Sequence, residues 1–143
     1  MTIVLRRVIL VVLAIGTAAL GVWAYFGPQS WYATFPGFGR HWISPLGPYN
    51  EHLVKDIGAG FLALTVLSCA ALVYVRNEAV VRTVAAVALA FGVLHLIYHV
   101  QTIDMYDTQD KVFNMIALVI PVLLAASLFL PVRGTVDEAR LHA

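Results

Sequence analysis

The chain has 143 residues, 61% of them hydrophobic and only 12% charged, with a formal net charge of +1 and a mean hydropathy of +0.85. Soluble domains carry roughly a quarter of their residues as charges, so this composition excludes an ordinary water-soluble domain. The small net charge excludes a nucleic-acid binder, which needs a basic patch able to neutralise a run of phosphates.

Four apolar stretches follow one another along the chain, at about 8–26, 53–75, 83–100 and 112–130. Each is close to the roughly 20 residues that carry a helix across a bilayer core. Open strands are ruled out there, because backbone groups in lipid must be satisfied within the segment. The expected fold is therefore all-α: an integral membrane four-helix bundle forming a single transmembrane domain over 1–143. The opening run behind Arg6 and Arg7 is long for a signal peptide and is read as a retained helix. Gly16, Thr17 and Gly21 in that helix suit close helix packing.

Between the first two spans lies an aromatic loop, 28–49, which contains Trp31, Tyr32, Phe35, Phe38, Trp42 and Tyr49 among prolines and glycines. It is too apolar to float in water and too rich in breakers for a regular helix. Two roles fit it: an aromatic belt anchoring the protein at the interface, or a lid over a site at the helix ends. Arg6, Arg7, Arg76, Arg82, Arg133 and Arg140 fall at the termini or the short link between the second and third spans, whereas Arg40, Lys55 and Lys111 fall on the opposite face. The positive-inside rule then places both termini in the cytoplasm and the aromatic loop outside.

The second span opens with "PYNEHLVKDIGAG". Asn50 has the chemistry of an N-cap, Glu51 suits the first turn, and Glu51 precedes Lys55 by four residues, the favourable order for a helical ion pair. His52 and Asp56 are also one turn apart, and a carboxylate at that depth costs about 2.5–3.5 kcal/mol on insertion scales. The third span ends with His95 and His99 at the same spacing. Because the two helices run antiparallel, His52 falls level with His99 and Asp56 with His95. Four ligands from two facing helices is the pattern of metal sites in bundles, and imidazole with carboxylate suits zinc, iron or copper. The same residues also fit a polar structural network of hydrogen bonds between helices.

In the fourth span "YDTQDKVF" reads as a helix start, with Asp107 or Thr108 as cap and Asp110 in the first turn. Asn114 and Asp104 are placed to orient a ligating imidazole. Pro121 interrupts the backbone ladder and is expected to kink the helix. Cys69, the one cysteine, lies within an apolar run; it permits no intramolecular disulfide and reads as a small packing residue.

Tyr49, Asn50, Glu51, His52 and Asp56 followed by His95 and His99 make a pattern that resembles a family of small bacterial four-helix membrane proteins of uncharacterised function. The resemblance implies a bacterial inner-membrane location. A looser similarity, of ligand chemistry, links the cluster to zinc-dependent membrane hydrolases of the ceramidase and progestin-receptor type, which are built on seven helices. Three functions remain open. In the first, the protein is a metalloenzyme acting on a lipid or other apolar substrate, with Glu51 as catalytic general base. In the second, it carries haem or another cofactor between imidazoles of two helices. In the third, it is an accessory subunit of a larger membrane complex or a homo-oligomer.

Overall fold

The structure, a computed structural model, describes residues 1–132. Five helices run α1 (Ile3–Phe26), α2 (Pro28–Thr34), α3 (Glu51–Val73), α4 (Glu78–Gln101) and α5 (Thr108–Ser127), with a two-stranded hairpin of β1 (Pro36–Gly37) and β2 (Arg40–His41) between α2 and α3. The chain is thus predominantly helical, and α1, α3, α4 and α5 are each long and apolar enough to cross a membrane. Only 11–22% of the residues in their most apolar stretches are buried within the protein. Arg133, Arg140 and His142 lie outside the described residues.

The helices begin ahead of the apolar runs because polar residues cap their N-termini. Thr2 accepts from Leu5 N, Asn50 from Leu53 N, Asn77 from Ala79 N and Val80 N, and Asp107 from Asp110 N, each filling part of the orphan donor set of a first turn. Helix α5 runs through Pro121 and stops at Ser127, ahead of Pro131. The aromatic loop departs from expectation, since seven of its residues form α2. Pro28 stands at the first helical position, where the missing N–H was an orphan in any case, and no further breaker intervenes before Pro36.

Helix α1 packs antiparallel on α3 along a seam of small residues. A Cβ added to Gly58 would stand 2.7 Å from Tyr25 N, and one added to Gly21 would stand 2.9 Å from Leu62 N. Below them Thr17 Oγ1 and Thr65 Oγ1 share a hydrogen bond of 2.9 Å. Gly16 faces open space and takes no part in the seam. Helix α4 packs on α5, with Gly92 against Val122. Cys69, expected to be packed, is free and exposed.

Two ends of the molecule can be distinguished. The terminal end carries the start of α1, the α3–α4 link and the close of α5. There an apolar cluster of Leu10, Ala71, Val75, Val81, Ala85 and Leu128 surrounds Arg6, which is fully buried. The loop end carries α2, the hairpin and the start of α5. Trp31 is buried there with Ala24 and Val54, and Trp42 is buried nearby, so the aromatic loop packs down on the helix ends while Phe38 stays almost wholly exposed.

Candidate functional site

The four predicted metal ligands divide into two pairs that the structure does not bring together. Among the described residues no group of three or more His, Cys, Asp or Glu side chains is placed to hold a metal ion. The cause is the rotation of α3 about its axis. Its buried face runs through Val54, Gly58, Phe61 and Ser68, because the glycine seam turns that face onto α1. At about 100° per residue, His52 and Asp56 stand roughly 160° and 200° round the helix from Val54, on the opposite side. Their side chains are 81% and 62% exposed, and His52 Nε2 lies 3.3 Å from Asp56 Oδ2.

The levels of the two pairs do correspond. Phe61 meets Phe91 edge-on, with centroids 5.3 Å apart, which sets Asp56 within about one residue's rise of His95 on the antiparallel helix. The two pairs thus stand at matching levels but on faces turned apart. Glu51, the predicted general base, is engaged by Lys55 Nζ at 2.7 Å in the exposed first turn of α3 and stands in no cluster with the histidines.

The α4 pair faces inward. His99 lies five full turns from buried Val81, and His95 is one turn before it on the same face. The His95 and His99 rings meet edge to face at 4.6 Å, and Phe91 stacks on His95 at 5.4 Å. Helix α5 contributes Asn114, which is 2% exposed. From the Gly92–Val122 contact, His99 is about 10 Å and Asn114 about 12 Å toward the loop end, so the two share a level. His99 Nδ1 and Asn114 Oδ1 are both buried without a hydrogen-bond partner. Trp31 Nε1 and Trp42 Nε1 at the same end, and Arg6 Nε at the other, are likewise buried without a partner, and native interiors pair such atoms with protein, water or an ion.

Above this level the loop end is closed by specific contacts. Tyr106, 6% exposed, donates its hydroxyl to Trp42 O at 2.6 Å, and burial pushes the Tyr106 phenol up to about 12. Arg40 Nη1 donates to Asp110 Oδ1, and its guanidinium lies 4.7 Å over the Phe113 ring. The Trp42 indole N–H is near the Asp110 carboxylate but outside hydrogen-bond geometry. On the outer side of these residues is an open cleft of about 440 Å³ lined by Phe38, Arg40, His41, Tyr106, Asp107 and Asp110. Asp104, expected as an orienting partner, is instead exposed, and Lys111 Nζ at 2.7 Å holds its carboxyl below the usual carboxylate range.

Imidazole nitrogens and an amide oxygen are donor types that zinc, copper and iron accept. Asn114, for which the sequence pointed only to an orienting role, is among the most deeply buried polar side chains of the described residues. The signal that could have found it is its rank as the only strongly polar side chain between Lys111 and Pro121. Arg6 was missed too, and its signal is Glu78, the single acid among four arginines at the terminal end of the described chain. Compared with models of known families, with characterised proteins and with solved structures, the chain matches none.

Proposed function

We propose that this is a multi-pass membrane protein that binds one transition-metal ion at the loop end, through His95 and His99 of α4 with Asn114 of α5. The observation that carries the reading is the pair of buried atoms without partners, His99 Nδ1 and Asn114 Oδ1, at one level beside His95. A cation satisfies both at once, whereas a direct contact with apolar neighbours satisfies neither. Zinc, copper and iron all accept this donor set. The haem alternative needs imidazoles on two sides of a flat macrocycle. Here the two rings meet directly at 4.6 Å on one helix, and His52 is turned away, which favours a bare ion.

The membrane reading rests on the four long apolar helices and on a charge difference between the ends. Among the described residues, Arg6, Arg7, Arg76 and Arg82 share the terminal end with Glu78 alone, while Arg40, Lys55 and Lys111 share the loop end with Glu51, Asp56, Asp104, Asp107 and Asp110. By the positive-inside rule the terminal end is cytoplasmic and the cleft opens outside, in keeping with a bacterial inner membrane.

Elemental analysis of protein purified from membranes without chelators tests the proposal. The expected result is about one metal per chain in the parent, a near-complete loss in His95→Ala and His99→Ala, and retention in His52→Ala and His41→Ala. A parent free of stoichiometric metal, with His99→Ala altered only in thermal stability, would reduce the site to a structural polar network, the role expected of an accessory subunit.

A further inference from the structure

The terminal end holds more positive charge than its contacts use. Arg6 donates to both Glu78 oxygens at 2.7 and 3.1 Å, and Arg82 Nε approaches the same carboxylate at 3.4 Å. Glu78 is thereby committed to two arginines. Arg7 and Arg76 remain, exposed and without an ion pair among the described residues, and both line an open cleft of about 370 Å³ with Val73, Tyr74, Val75 and Asn77. Two guanidinium groups converging on one cleft repel each other unless an anion lies between them, and the guanidinium fork matches phosphate oxygens in pairs.

The position of the cleft selects the anion. It lies where α3 ends at Val73 and α4 begins at Glu78, which is headgroup level if these helices span a bilayer. Tyr74, 59% exposed, has the amphipathic ring typical of that level. Apolar side chains continue from the cleft along the spans: Val11 is one turn beyond Arg7 on α1, and Val66 is two turns before Val73 on α3, all of them exposed. A phosphate bound between the arginines and carrying acyl chains would lay those chains over Val11 and Val66. We infer that the cleft lined by Arg7, Arg76 and Tyr74 binds the phosphate of an anionic glycerophospholipid of the cytoplasmic leaflet. This inference rests on the membrane reading above and is independent of the metal site.

Native mass spectrometry of the protein released from micelles containing equal phosphatidylglycerol and phosphatidylcholine tests it. The parent is expected to retain phosphatidylglycerol preferentially. In Arg7→Gln/Arg76→Gln its affinity should fall roughly thirty-fold, each basic group near the surface being weighted at about five-fold. Arg82→Gln, at the same end but already paired with Glu78, should keep the preference. Equal retention of the two lipids by the parent overturns the inference without need of a variant, as does undiminished phosphatidylglycerol binding by a double variant that melts like the parent. Inorganic phosphate that competes at millimolar concentration, and binds with the same dependence on Arg7 and Arg76, would assign the cleft to a soluble anion and overturn the lipid. Recovery of the expressed chain outside the membrane fraction would fail the membrane reading, whereas a membrane-bound chain with no lipid preference fails this inference alone.

Discussion

The two ends of the molecule treat buried polar atoms in opposite ways. At the terminal end Arg6 is fully buried yet makes four hydrogen bonds, two to Glu78 and one each to Val75 O and Leu130 O, leaving only Nε without a partner. Those bonds join α1, the α3–α4 link and the close of α5. At the loop end His99 and Asn114 are as deeply buried, but each has a polar atom with no partner in the chain. A satisfied network holds a fold together, whereas an unsatisfied one lowers stability and is retained where something else binds. The terminal end thus reads as a clasp, and the loop end, on the function proposed above, as a site.

The contrast predicts opposite responses to substitution, and the largest belongs to the clasp. Glu78→Ala leaves the buried Arg6 guanidinium without its counter-charge, and the cost is about 3 kcal/mol, the lower end for a buried pair because the Glu78 side chain is 36% exposed and Arg6 keeps its bonds to Val75 O and Leu130 O. Denaturant unfolding in detergent should show it. Replacing both partners by Arg6→Met and Glu78→Leu should recover most of the loss, because the stranded charge is then gone. A Glu78→Ala variant as stable as the parent would remove the clasp from the account.

Between the ends, Gly58→Ala forces a methyl to 2.7 Å from Tyr25 N, where backbone has to shift. The expected cost is about 1–3 kcal/mol, the range for overpacking. Gly16→Ala meets nothing within 4 Å and should be nearly silent. Equal effects at the two glycines would mean that the α1–α3 seam lies elsewhere.

A smaller effect is expected where the loop closes over the site. Tyr106→Phe removes the hydroxyl bonded to Trp42 O, a loss of about 1 kcal/mol. The same phenol titrates at about 12 rather than its ordinary 10.0. A raised pKa in an acid means that the folded chain holds the proton more tightly than the unfolded one. Its contribution is therefore complete below about pH 10 and is lost between 10 and 12. Tryptophan emission should shift across that window in the parent and not in Tyr106→Phe.

The smallest effect on stability is expected at the site itself. His99→Leu or Asn114→Leu exchanges an unpartnered polar group for an apolar one of similar size, which should leave stability of the metal-free protein within about 1 kcal/mol of the parent, or raise it. A loss as large as that of Glu78→Ala would show that these residues already have partners and that the two ends do not differ.

The four long apolar helices, their order and two of their four N-caps, Asn50 and Asp107, could be read from the sequence because apolar run length and capping chemistry are local properties. Their starts moved outward, to Ile3, Glu51, Glu78 and Thr108, because each helix begins at its cap ahead of the longest apolar run, whereas α3 and α5 stop short of that run's end, at Val73 and Ser127. The candidate site was legible in part. Spacing of four residues tells that His52 and Asp56 share a face, and likewise His95 and His99, but not which way the face turns. That is decided by Gly21 and Gly58, whose missing side chains let α1 settle on one side of α3 and leave His52 and Asp56 on the other. Helix α2 was missed because Pro28 counted as a breaker when its position made it a starter.

Cobalt(II) titration of the chelator-stripped protein, read by visible absorption, tests the central claim most directly, since it reports ligation and not stability. The parent should develop ligand-field bands that saturate at about one ion per chain; His95→Leu, His99→Leu and Asn114→Leu should lose or alter them, and His52→Ala and Asp56→Ala should reproduce the parent spectrum. A parent without bands, or bands abolished by His52→Ala or Asp56→Ala, would contradict the assignment of the ion to the α4–α5 side of the loop end.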